Sequence, residues 1–220
     1  MLHFIKRDFL LTWSSWALIT LLLIPVGYIT YIPPTFILLL IFSSVLFGSF
    51  FYDQKATIHR TNISLPLRRT AIVMSRYVFF LLFTVIVVLL QWGVISMMDA
   101  WIPTPNYYVY GFKDFITVTC LFLLLIAVFA PMYYLIRNPH ITFSVYLIIL
   151  FLLQFILLSL LTDVLGMTNY VSFNEIDQGF VLLVEKYIPF QPYLILVILS
   201  IGLYIVSLKI SEKIFSKQSH

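Results

Sequence analysis

Apolar residues in this chain come in unbroken runs rather than in alternation. The runs at 13–31, 35–52, 77–98, 115–136, 141–162 and 190–208 are each close to the ~20 residues an α-helix needs to cross a bilayer. A membrane β-barrel would instead show segments of about ten residues alternating apolar and polar, and the sequence has none. Of the 220 residues, 62% are hydrophobic and 10% charged, with mean hydropathy +1.04, against roughly 25% charged in a soluble domain. The expected fold class is therefore an all-α integral membrane protein with six transmembrane helices. The whole chain, 1–220, is one transmembrane domain, because too few residues remain for a soluble domain on either side.

Lys6 and Arg7 precede the first run as they would in a signal peptide. The run is too long for an h-region, no small-x-small site follows, and Tyr31-Ile-Pro-Pro34 leads into the next run. The reading is a retained first helix. Before it, residues 1–12 place Leu2, Ile5, Phe9 and Thr12 at helical spacing with Lys6, Arg7 and Asp8 on another side. That fits either a short helix in the membrane interface or an extension of the first span.

Charge sets the orientation. With both termini cytoplasmic, every one of the 13 Lys and Arg residues except Lys113 and Lys186 falls on the inner side, as the positive-inside rule requires. Trp13, Trp16, Trp92 and Trp101 lie near span ends, where amphipathic rings prefer to sit. Ser64-Leu-Pro66 has the form of a helix start, and neither Gly nor Pro follows until Gly93. A helix from 66 to 98 would be about 50 Å long, longer than the ~30 Å hydrocarbon core. The third helix should thus project into the cytoplasm, with Arg68, Arg69 and Arg76 on its foot. Arg137-Asn-Pro139-His140 reads as a tight inner turn. Residues 163–189 form an extracellular, semi-apolar segment in which 178–187 have the pattern of a short helix dipping back toward the bilayer.

Several chemistries are excluded. The spans carry essentially no ionisable residue, which argues against a proton relay or ion pump. Their strongest polar residues are Gln91 and Gln154, which either line a translocation route or bind an adjacent helix. Pro25 and Pro131 lie within spans and allow kinks. His3, His59, His140 and His220 are dispersed without metal-ligand spacing, and no HExxH is present. The scattered glycines form no phosphate loop, so the chain does not hydrolyse nucleotide itself, and no cofactor is expected. The basic charge is accounted for by topology, so no nucleic-acid partner is expected. Cys120 stands alone inside a span and is read as a packing residue.

One polar segment interrupts this pattern. From the aromatic end of the second run it reads Asp53, a polar stretch, Arg60, then Ser64-Leu65-Pro66-Leu67-Arg68-Arg69, Ile72-Val73 and Arg76-Tyr77. It resembles the cytosolic region after the second span in permease subunits of type-2 ABC exporters, the short six-helix bacterial kind encoded apart from their ATPases. A typical run there is an acid, a polar stretch, Ser-Leu-Pro, a basic pair, then Ile-Val, a small residue, a basic residue and Tyr. Such runs often carry more acids before the arginine, where this chain has Gln54, Lys55 and Ala56. The resemblance covers the whole chain in layout and some 25 residues in motif.

The resemblance implies a type-2 ABC exporter permease architecture in a bacterial cell membrane. It implies that 53–65 is a coupling segment, with 55–63 as a helix docking in a groove on a separate ATPase. Lys55, Ile58, His59, Arg60 and Ile63 would carry that contact. The implied partners are the cytoplasmic ABC-type ATPase, a second permease subunit (the same or a different chain) and the lipid bilayer. The charge-free, Phe-rich interior suits hydrophobic or amphipathic cargo, such as peptide toxins, antimicrobial peptides or lipid-like molecules. Within the family, the exporters of phenol-soluble modulins are the nearest in character, followed by bacitracin- and lantibiotic-resistance permeases. The rival readings are a non-transporting membrane anchor or sensor subunit, and a membrane-embedded lipid-processing enzyme or intramembrane protease. The last would need paired acids or histidines at one depth.

Overall fold

The structure is a computed structural model that describes residues 6, 22–55, 69–102, 108–136, 138–165 and 176–217. Every element among these residues is helical. Helix α1 is described over 22–29. It is followed by α2 (Pro34–Lys55), α3 (Arg69–Trp101), α4 (Phe112–Leu135), α5 (Pro139–Leu165), α6 (Ile176–Tyr187) and α7 (Pro192–Lys217). Helices α2, α3, α4 and α7 each hold a stretch long and apolar enough to cross a membrane, and α5 contains the shorter apolar helix His140–Ile156. The all-helical membrane fold is as the apolar runs require. Of residues 1–12, where an interfacial helix or an extension of the first span is expected, only Lys6 is described; it is helical and exposed.

Local sequence explains the helix ends. Three helices begin on proline, at Pro34, Pro139 and Pro192, where a missing N–H costs nothing because the first turn has no acceptor for it. Asn138 caps α5: its Oδ1 accepts the His140 N–H at 3.0 Å, and its carbonyl accepts both the N–H and the hydroxyl of Thr142. At the start of α4, Asp114 reaches back to accept the Gly111 N–H at 2.8 Å, half of a capping box. Helix α1 stops in a Schellman motif. The Ile32 N–H donates to the Gly27 carbonyl and the Tyr31 N–H to the Tyr28 carbonyl, with Tyr31 left-handed at φ 58°.

Gly27 has a second role. An ideal Cβ at this position would collide with the Ile37 side chain, so the turn is tight enough that α1 and α2 meet across a bare backbone.

The long third helix takes the form read from the sequence. α3 has 33 residues and is about 50 Å long at 1.5 Å per residue. Residues 66–68, the start that the sequence leads one to expect, lie outside the described residues, and the helix continues past 98 to Trp101. α4 packs most extensively against α7, both pack on α3, α2 lies against α5, and α6 lies against α4 and α5. Phenylalanines fill the centre. Phe42 stacks on Phe122 with centroids 4.2 Å apart, Phe83 meets Phe42 edge-on, and Phe129 meets Tyr146 edge-on at 4.3 Å.

Two ends of the bundle can be told apart by contacts. One gathers the start of α2, the end of α3, residues 108–114 and α6. It is the end that the charge pattern assigns to the outside. The other gathers Phe50 of α2, Arg76 of α3, Tyr133 and Tyr134 of α4 and Phe215 of α7.

Candidate coupling site

The residues expected to meet an ATPase lie between α2 and α3. Lys55 is the last residue of α2 and Arg69 the first of α3. Ile58, His59, Arg60, Ile63 and Arg68 lie outside the described residues. What the structure describes is the pair of helix feet from which that segment springs.

Arg76 is fastened inward. It belongs to the foot of α3, yet it is only 4% exposed, and its guanidinium carbon sits 4.8 Å from the centroid of the Phe50 ring. The planar, delocalised guanidinium stacks on aromatic faces and is weakly hydrated for a cation, which suits it to this near-dry position. Phe50 also stacks on Tyr133, with centroids 4.4 Å apart and rings within 2° of parallel. It meets Tyr134 edge-on at 5.5 Å and Phe80 at 6.1 Å. Tyr134 in turn meets Phe215 near the end of α7 at 5.7 Å. A single ring thus joins the foot of α2 to α3 and α4, and through Tyr134 to α7. Nearby, Phe47 and Phe51 of α2 contact His140 at the start of α5.

Several polar groups inside the bundle bond from one helix to another. Gln91 is fully buried, and its Nε2 donates to the Pro34 carbonyl at 2.7 Å. Its Oε1 has no hydrogen-bond partner among the described residues. Gln154 lies half-buried on α5 among exposed apolar neighbours. The Tyr77 hydroxyl lies 2.8 Å from both Ser207 Oγ and Ser211 Oγ. Ser207 also lies 2.6 Å from the Ala127 carbonyl, and the Tyr204 hydroxyl donates to the Tyr77 carbonyl at 2.6 Å. The buried residues of α7 are Ser200, Tyr204, Ser207, Ser211 and Phe215. Their spacing of three and four puts them on one helix face, and this polar stripe could have been found by periodicity. Ser43 and Tyr146 join α2 to α5 in the same way at 2.8 Å.

At the opposite end, Asp177 is 2% exposed in the first turn of α6. Its Oδ2 accepts the Thr35 N–H at 3.1 Å and the Tyr110 hydroxyl at 3.1 Å, while Thr35 Oγ1 and Tyr110 Oη are 2.8 Å apart. Its Oδ1 has no partner among the described residues. Burial raises its pKa from 3.8 to about 6; the bonds from Thr35 and Tyr110 oppose the shift, and the charge of Asp114 adds to it. Asp114 itself is bonded by Tyr108. Further out, Lys113 pairs with Glu185 at 2.8 Å, and Tyr193 donates to the same oxygen at 2.6 Å. That pairing holds the Glu185 carboxyl below its usual range, with Lys113 as the largest cause. Nothing in the sequence distinguishes Asp177 from its neighbours Asp163 and Glu175.

No cluster of three or more His, Cys, Asp or Glu side chains able to hold a metal occurs among the described residues. Cys120 is buried and unpaired with another cysteine.

Comparison with known proteins gives one family. The family described as ABC-2 family transporter protein matches residues 3–216. No curated protein and no solved structure matches. The match runs from the N-terminal segment to the last turn of α7, almost the whole length of an all-helical chain with several membrane-crossing helices, and the chain therefore belongs to the ABC-2 family of membrane transporter proteins.

Proposed function

We propose that this chain is the membrane-spanning permease subunit of an ATP-driven exporter, and that residues 55–63 dock on a separate ABC-type ATPase. Family membership supports the permease and an ATPase partner. The observation that carries the docking reading is the length of α3. Its 33 residues reach about 50 Å, some 20 Å beyond the ~30 Å hydrocarbon core. A helix longer than the hydrocarbon core leaves turns outside it, and on this reading some of them lie at the α3 start that follows the polar segment. A short helix in a groove is then a natural mode of recognition. The basic character of the segment and the positive-inside rule put it in the cytoplasm, with both termini on the same side of the bacterial plasma membrane.

The mechanism is alternating access. Two permease chains pair, each resting on an ATPase. ATP binding draws the ATPases together and pushes the docking segments, and hydrolysis resets them. The coupling has force only if nucleotide favours one of two arrangements of the spans. The cargo is hydrophobic or amphipathic, a peptide or a lipid-like molecule. The reason is the interior: among the described residues, the core between the two ends is built from Phe, Leu, Ile and Val with hydroxyls and one amide, and without a buried charge between Arg76 and Asp114.

The test is a double substitution, Ile58→Asp with Arg60→Glu. It should lower co-purification of the ATPase at least about tenfold, a loss of roughly 1.4 kcal/mol or more, while membrane insertion is unchanged. Unchanged complex yield would remove the docking assignment. Efflux that persists in cells lacking this chain would favour the anchor or sensor reading instead.

A further inference from the structure

The docking segment leaves open how a push on it reaches the rest of the bundle. Its two ends are Lys55, which closes α2, and Arg69, which opens α3. Phe50 lies about 8 Å above the end of α2 and Arg76 about 10 Å into α3, at 1.5 Å per residue. These two are the residues in contact at 4.8 Å. The two feet are therefore cross-linked by a cation against a ring, and that ring is the one stacked on Tyr133 and met edge-on by Tyr134.

We propose that Arg76 and Phe50 are positioning residues for transport: the Arg76–Phe50–Tyr133 junction passes movement of the docking segment from the feet of α2 and α3 into α4 and, through Tyr134, into α7. The inference deepens the docking reading and rests on it.

Three features favour this over simple packing. First, the junction is direct. Rings within 2° of parallel with centroids 4.4 Å apart are in contact, so displacement of α2 toward α4 presses directly on α4. Second, it is placed where force enters, within about two turns of both ends of the segment. Third, it holds the one basic side chain that the described bundle buries. Packed interfaces of this kind have discrete arrangements and do not deform continuously, so a small displacement at the foot becomes a shift of whole helices.

The chain and its ATPase are purified together in three variants: Phe50→Leu, which removes the ring; Phe50→Tyr, which keeps it; and Arg76→Gln, which removes the charge and the planar fork. Spin labels on exposed Val128 of α4 and Leu152 of α5, in a Cys120→Ala background, report the α4–α5 distance without nucleotide and with trapped ATP. The wild type should show a shift of ~2 Å or more, the scale of helix displacements in switching proteins. Phe50→Leu and Arg76→Gln should lose most of that shift while complex yield stays at the wild-type level and ATP turnover within about twofold, as expected when hydrolysis continues uncoupled from helix movement. Phe50→Tyr should retain the shift. A full shift in both Phe50→Leu and Arg76→Gln would overturn the inference. So would a Phe50→Tyr that fails like Phe50→Leu, or a loss of shift accompanied by lost complex. A wild-type preparation that carries no ATPase would remove the docking reading and this one with it, an outcome separable from the others because complex yield is read before any distance.

Discussion

Gln91 and Asp177 grip the same peptide group from its two ends. The carbonyl of Pro34 accepts from Gln91 Nε2 at 2.7 Å, and the N–H of the same peptide, on Thr35, donates to Asp177 Oδ2 at 3.1 Å. In a trans peptide these two groups point in opposite directions, so α3 and α6 hold the first turn of α2 between them. The Thr35 N–H is one of the donors that a helix start leaves without an internal partner. A carboxylate there also faces the positive end of the helix dipole. The tyrosine Tyr110 closes the arrangement from the 108–111 segment.

The Asp177 end of that clasp should be sensitive to pH. Its pKa is raised from 3.8 to about 6, chiefly by burial. A raised acid binds its proton more tightly when folded than when unfolded. Its stabilising contribution is thus full below about pH 3.8, declines as pH rises, and is gone above about pH 6. The difference corresponds to about 3 kcal/mol as an order of magnitude. Thermal unfolding of the detergent-solubilised protein should show the wild type losing stability between about pH 4 and pH 6.5 relative to Asp177→Asn, which keeps an acceptor for Thr35 and Tyr110. Parallel curves for the two proteins would show that Asp177 does not titrate in this range.

Gln91 should be dispensable for stability. Its Nε2 makes one bond, yet its Oε1 is buried without a partner among the described residues. Gln91→Leu loses the first, worth about 1 kcal/mol, and removes the second, a penalty of similar size. The unfolding midpoint should move little. A loss of several kcal/mol would mean that the amide is held by more than Pro34.

Gly27→Ala should destabilise through Ile37. An added Cβ would meet the Ile37 side chain, and overpacking of this kind costs about 1–3 kcal/mol. The double variant Gly27→Ala, Ile37→Val should recover part of the loss, because the shorter side chain vacates the site of collision. Additive losses in a double-mutant cycle would show that the two positions are not in contact.

Tyr77→Phe should loosen α3 from α7. It deletes the hydroxyl that Ser207 and Ser211 share. Inter-helix hydrogen bonds within membranes average about 0.6 kcal/mol each, so the loss should be near 1 kcal/mol, since Ser207 also contacts the Ala127 carbonyl. Ser211→Ala in the Tyr77→Phe background should cost almost nothing more.

The helices were legible in the sequence because a bilayer demands long unbroken apolar runs, and because Pro34, Asn138-Pro139 and Pro192 mark starts by local chemistry alone. The length of α3 followed from the absence of breakers between Pro66 and Gly93. The interior was less legible. Arg76 counted as one of several inner-side charges, and only the fold reveals that it turns inward onto Phe50, a partner 26 residues away across the polar segment. Asp177 had no local signal, because its burial depends on Thr35 and Tyr110, which are distant in sequence. The α7 stripe is the opposite case: Ser200, Tyr204, Ser207 and Ser211 recur at helical spacing, a pattern that hydropathy averaging hides.

The account stands most directly on what this chain is bound to in its own membrane. Tagged full-length protein can be purified in mild detergent and its partners quantified, with ATP turnover measured on the same preparation. The account predicts an ABC-type ATPase in about equal amount to the permease, as binding of each chain to one ATPase requires, and ATP turnover that falls with complex yield when Ile58→Asp and Arg60→Glu are introduced. A chain that purifies without any ATPase, and a preparation without ATP turnover, would contradict it.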